Sequence, residues 1–125
     1  MILLLDAHAV LWWLADDPRL GRPAREAIAD PANEALVSAA SIWEIEIKRG
    51  LGKLDAPLGL VDAVEATGFG TLPITAEDTE TAGRLPGHHR DPFDRMLVAQ
   101  AARLDAVIVS RDDAFAAYGA NVLPA

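Results

Sequence analysis

The chain has no cysteine among its 125 residues. Disulfides, thiolate-bound zinc and a cysteine nucleophile are therefore excluded at the outset. Lysine is almost absent, with only Lys48 and Lys53 present, and the net charge is -8. That balance excludes a general nucleic-acid binder, which draws phosphate affinity from Lys and Arg. It leaves room for a nuclease whose acids are offset by a bound metal. No apolar run approaches the roughly 18 residues of a membrane span. The opening MILLL is too short for a signal peptide and lacks a basic leader. A soluble, cytoplasmic protein is the expectation. Internal repeats, low-complexity tracts and linkers are missing too, so residues 1–125 read as one domain. A P-loop, a GxGxxG turn and a Ser-His-Asp arrangement are likewise lacking.

What is present is an alternation of strand-like and helix-like segments. Residues 2–5 form an unalternating apolar run, the pattern of a strand buried on both faces. Helices are expected over 8–15, 22–29, from Ser38 or Ser41 to Gly50, 58–67, 76–83, 92–104 and 112–118. Gly50 suits the C′ position that closes the third of these. Further strands are expected over 34–37, 69–74, 106–109 and 121–123, with Pro73 demoting the second of these to an edge. Strands separated by helices imply an α/β fold with a central parallel sheet of four to five strands and helices on both faces.

Four acids stand out by position. Asp6 ends the first apolar strand, where an unpaired carboxylate is costly to bury. Its plainer role is N-cap of the following helix. Glu44 lies three residues after Ser41, the spacing of a capping box. Asp94 falls at N3 of a helix capped by Asp91 and opened by Pro92, where the helix dipole alone favours an acid. Asp112 follows the strand 106–109 and would lie at N2, with Asp113 beside it at capping-box spacing from Ser110. Each has this helix-start reading when taken alone. Together they fall at strand exits and helix starts, which share one edge of a parallel sheet. Ligands of such sheets bind at that edge. A carboxylate cluster there would repel itself without a cation.

Other residues read more plainly. His8 suits surface or helix packing better than a metal, and His88 and His89 sit in a glycine loop, most simply solvated. Trp12 and Trp13 are adjacent, so they cannot share one helix face. Arg84, Arg90, Arg95 and Arg111 flank the acids, and Arg95 and Arg111 adjoin candidate ligands. They are candidates for phosphate contact, or else solvated helix-start residues.

With these residues assembled, the chain resembles the PIN-domain ribonucleases, specifically the toxins of VapBC-type toxin–antitoxin pairs. LLLDAHAVLWWL resembles the first acidic motif, SAASIWEIEIKRGLGKL the second, HHRDPFDRMLVAQA the third and VIVSRDDAFAAYG the fourth. The resemblance spans nearly the whole chain and implies a PIN-like three-layer α/β/α fold. It implies metal-dependent hydrolysis of RNA phosphodiester bonds, with Asp6, Glu44, Asp94 and Asp112 catalytic. Asp6, Asp94 and Asp112 would hold Mg²⁺ or Mn²⁺. Glu44 would be an outer ligand or would orient the attacking water. The resemblance selects Asp112 over Asp113. It also implies a cognate antitoxin, an RNA substrate and a homodimer within the toxin–antitoxin complex. One position departs: Ala7 stands where the family usually has Thr or Ser after the first acid.

Two other classes fit parts of the pattern. A phospho-receiver signalling domain has similar length, acidity and strand-end aspartates. It needs paired acids after the first strand and a lysine after the last core strand, and this chain has no lysine beyond Lys53. A PIN scaffold serving only as a binding module would not need acids at all four motifs.

Overall fold

The computed structural model describes residues 1–87 and 90–125, so His88 and His89 lie outside the described residues. Five strands form one sheet: β1 (Ile2–Leu5), β2 (Glu34–Ser38), β3 (Gly70–Leu72), β4 (Val107–Ser110) and β5 (Val122–Pro124). The helices are α1 (Ala7–Leu14), α2 (Arg22–Ala29), α3 (Ala39–Gly50), α4 (Leu60–Ala66), α5 (Ala76–Arg84) and α6 (Pro92–Leu104). A 3-10 helix follows over Asp113–Tyr118. The strand order is β3-β2-β1-β4-β5, and every pairing is parallel.

β1 shows why its sequence does not alternate. Leu3 and Leu5 enter one core with Val37 and Val109, while Leu4 enters the opposite core with Leu36 and Ile108. Successive side chains of a strand point to opposite faces, so a strand covered on both sides must be apolar throughout. Val10, Trp12, Ala24, Ile28, Ile45, Leu60 and Val64 bring α1 to α4 onto the first face. Leu97, Val98 and Ala101 bring α6 onto the second, with Phe115 of the 3-10 helix. α5 packs against α6. The result is a three-layer α/β/α fold.

The order reverses between β1 and β4, which are neighbours although far apart in sequence. A receiver domain would show the order 2-1-3-4-5, so that rival fails on topology. The reversal also opens a crevice at the carboxyl ends of β1 and β4, the usual ligand position in open α/β sheets.

Several expected boundaries shift for local reasons. Gly50 is the last residue of α3, and Gly52, with φ +71°, takes the left-handed position that closes it. Gly52 N–H donates to Arg49 O at 3.0 Å and Lys53 N–H to Lys48 O at 2.9 Å, the two bonds of a Schellman ending. α3 begins from Ser38, whose hydroxyl accepts Ala40 N–H at 3.0 Å. β3 is three residues long and lies at the edge, as Pro73 requires. α6 runs over 92–104 as the sequence predicts, with Asp91 as N-cap. Among the described residues no helix is long and apolar enough to cross a membrane.

Candidate active site

Asp6 uses its two carboxylate oxygens differently. Oδ1 accepts the Ala9 N–H at 2.9 Å, capping α1. Oδ2 accepts the Ser110 hydroxyl at 2.5 Å, reaching across to the end of β4. The same Ser110 Oγ accepts Asp112 N–H at 3.0 Å. Asp6 is only 9% exposed. Burial holds its carboxyl above the ordinary aspartate range, and the bonds from Ser110 and Ala9 offset this only in part. Burial penalises the charged form of this acid, and a nearby cation would offset that penalty. The missing hydroxyl at Ala7 is answered here, because Ser110 orients the first acid from the neighbouring strand.

Glu44 is not the capping-box residue that its spacing from Ser41 suggests. α3 starts earlier, which places Ser41 inside the helix with its hydroxyl 3.5 Å from Leu5 O. Glu44 follows one turn later and is buried. Its Oε2 meets Lys48 Nζ at 2.5 Å across one helical turn. Glu44 first, then Asp91 and Asp94, hold the Lys48 ammonium above its ordinary range. All three acids therefore surround one lysine.

At the start of α6, Asp91 Oδ1 accepts Phe93 N–H at 2.8 Å and Asp94 N–H at 3.2 Å. Pro92 occupies the first turn, where its lack of an N–H costs nothing. Asp112 is the N-cap of the 3-10 helix and accepts Ala114 N–H at 2.9 Å. The sequence reading places it at N2 with Ser110 as the cap, but the helix starts at Asp113, which makes Asp112 itself the cap. One cleft is lined by Asp6, Glu44, Asp94 and Asp112, together with Ala7, His8, Asp91 and Lys48. Asp113 is exposed and does not line it.

Residues 3–121 match the PIN domain family. This chain belongs to it. Ribonuclease VapC22 of Mycobacterium tuberculosis is 30% identical over 113 residues, covering 88% of this chain and 86% of that protein. VapBC2 from Rickettsia felis, in a crystal structure bound to a DNA fragment from its promoter, shares the fold with TM-score 0.70 at 15% identity over 98% of both chains. Mycobacterium tuberculosis VapC20, a sarcin-ricin loop cleaving toxin, shares it with TM-score 0.66 at 19% identity over 94% of this chain and 95% of that one.

Within this PIN domain two of the flanking arginines, Arg95 and Arg111, are occupied elsewhere. Arg95 donates to the carbonyls of Ala82, Leu85 and Pro86, fastening the end of α5 to α6. Arg111 donates to the carbonyls of Arg19 and Ala125 and lies 4.5 Å from the Trp12 ring centroid. Arg111 lines the cleft, but both guanidinium groups serve the fold. Arg19, which the sequence did not single out, also lines the cleft and is paired with Asp17. Trp12 is thus a buried ring with two guanidiniums near it, Arg111 at 4.5 Å and Arg19 at 5.4 Å, and His8 beside it at 5.6 Å. Trp13 is half-buried against Phe69. The exposed tryptophan is Trp43, at 62%, edge-on to Phe93.

Lys48 is another cleft residue that the sequence did not single out. Its signal was present, since a lysine four residues after a glutamate on a helix meets it across one turn.

Proposed function

We propose that this PIN domain is a metal-dependent endoribonuclease, the toxin of a type II toxin–antitoxin pair, acting in the cytoplasm. The convergence of Asp6, Glu44, Asp94 and Asp112 on one cleft carries this reading. The donors are all carboxylate oxygens, the set a hard divalent cation takes. Among the described residues no three acids or histidines are gathered tightly enough to hold an ion as they stand. Mg²⁺ does not require that, because it keeps several waters and is held by one or two carboxylates plus substrate phosphate.

Asp6, Asp94 and Asp112 would hold Mg²⁺ or Mn²⁺. When bound, such an ion supplies positive charge to the phosphoryl oxygens and acidifies water. Ser110 keeps Asp6 aimed while its burial excludes bulk water. Glu44, whose Oε2 is paired with Lys48, would be an outer ligand or would orient the attacking water. The partners proposed are an RNA substrate, a cognate antitoxin and a second copy of the chain. An antitoxin placing a basic side chain among the four acids would mimic the cation and shut the site.

The test is cleavage of a mixed pool of structured and single-stranded RNA. Cleavage should stop in excess chelator and return with Mg²⁺ or Mn²⁺. Asp94→Asn should nearly abolish it with the fold unchanged. Cleavage that proceeds unchanged in chelator overturns the metal mechanism, and an intact cleft with no cleavage of any RNA favours a binding module.

A further inference from the structure

Lys48 stands inside an acidic cleft in a chain that has only two lysines. Its Nζ lies 2.5 Å from Glu44 Oε2, and the Glu44 side chain is 10% exposed against 36% for Lys48. The acid is therefore the buried member, and the ammonium closes it off from the solvent side. The backbone behind the pair is fixed. Lys48 O accepts Lys53 N–H at 2.9 Å in the ending of α3, so the lysine cannot drift by fraying of that helix. The other deep acid, Asp6, is held by a neutral hydroxyl. A neutral partner leaves a carboxylate free to meet a cation, whereas a cationic partner competes with it.

We propose that Lys48 is a positioning residue that keeps Glu44 out of the ion's inner shell. An ammonium on Oε2 repels a divalent ion at the same oxygen. Glu44 would thereby be reserved for water at Oε1, with Asp6, Asp94 and Asp112 left to hold the ion. This rests on the ribonuclease reading above and assigns Glu44 the orienting role rather than the ligand role.

The experiment is a Mn²⁺ titration of the purified full chain, with free Mn²⁺ followed by electron paramagnetic resonance, alongside RNA cleavage. The variants are Lys48→Gln, Lys48→Arg, Glu44→Gln and the double Lys48→Gln/Glu44→Gln. Lys48→Met, which keeps the stem, serves in place of Lys48→Gln if circular dichroism shows that variant unfolded. Removing the ammonium frees Glu44 to join the ion, so Lys48→Gln should tighten Mn²⁺ about 3- to 10-fold while slowing cleavage. Lys48→Arg, which can still pair with Glu44, should bind Mn²⁺ like the parent. In the Glu44→Gln background the tightening should fall below about twofold. The proposal is overturned if Lys48→Gln leaves Mn²⁺ affinity unchanged or weaker. It is also overturned if the full gain persists without Glu44, because Lys48 would then act by charge alone. A parent chain that binds Mn²⁺ but shows either result sinks only this inference. A parent chain that binds no Mn²⁺ sinks the metal reading and this inference with it.

Discussion

Asp6 and Asp78 show how burial and partners set the sign of a carboxylate's contribution. Burial holds Asp6 above the ordinary range, so the stability its protonated form contributes is fully present below that range. It is lost as pH rises through the raised folded value. Asp78 is the reverse case. Arg103 Nε at 2.7 Å and Nη2 at 3.0 Å hold it below the ordinary range. Its contribution is present above the ordinary value and lost as pH falls through the lowered one. Asp6→Asn should therefore raise the metal-free melting temperature at pH 7, with the gain vanishing in acid, and should abolish cleavage. Asp78→Asn should lower the melting temperature at pH 7, with its deficit shrinking in acid. Thermal melts across pH check both, and equal pH dependence of the two differences would contradict this account.

The helix ends place the site, and their side chains divide the work. Asp91 caps α6 through Phe93 and Asp94 N–H, while Asp94 on the next turn faces the cleft. Asp91→Ala should cost on the order of 1 kcal/mol, the usual loss of a cap. Asp91→Ser should recover that stability, with cleavage largely kept. Cleavage lost in Asp91→Ser would show that the Asp91 charge serves the reaction beyond the cap. Arg95 belongs to the same turn, but its carbonyl partners at the end of α5 make it a fastener. Arg95→Ala should lower the unfolding midpoint while leaving the salt dependence of RNA binding unchanged. A slope reduced by about one phosphate contact would restore Arg95 to RNA recognition.

Across the whole molecule, charge and exposed apolar surface set the terms for partners. A net charge of -8 disfavours RNA, and Arg95 and Arg111, which adjoin cleft acids in sequence, are engaged by carbonyls. RNA binding should therefore depend on divalent metal and fall only shallowly with salt, because the protein neutralises few phosphates. Mn²⁺ should raise the melting temperature in proportion to the logarithm of its concentration above Kd. Fluorescence anisotropy and melting curves measure these, and tight RNA binding in chelator would refute the first. Trp43, Leu51, Leu58, Val61 and Ile74 are exposed on and beyond α3 and α4. Trp43, Val61, Leu72 and Pro73 line one apolar groove beside the edge strand. Apolar side chains gathered in this way mark an association surface, in keeping with the proposed homodimer.

The local rules were legible in the sequence wherever one residue's chemistry decided the outcome. Asp91-Pro92 fixed the start of α6, Pro73 confined β3 to an edge, and the unalternating ILLL announced a strand covered on both faces. Asp6, Asp94 and Asp112 were legible as a set because strand exits and helix starts share one edge of a parallel sheet, whereas Glu44 lines the same cleft from further along α3. Other features needed the tertiary structure. The Ser110 bond to Asp6 spans 104 residues and exists only because β4 pairs with β1. Arg95 and Arg111 adjoin cleft acids in sequence, yet their long side chains reach carbonyls on other elements. Sequence adjacency limits where a side chain starts, and the packing around it decides where its charge ends. Lys48 lies between these cases: helix spacing foretells its meeting with Glu44, but only the approach of α6 brings Asp91 and Asp94 around the same ammonium.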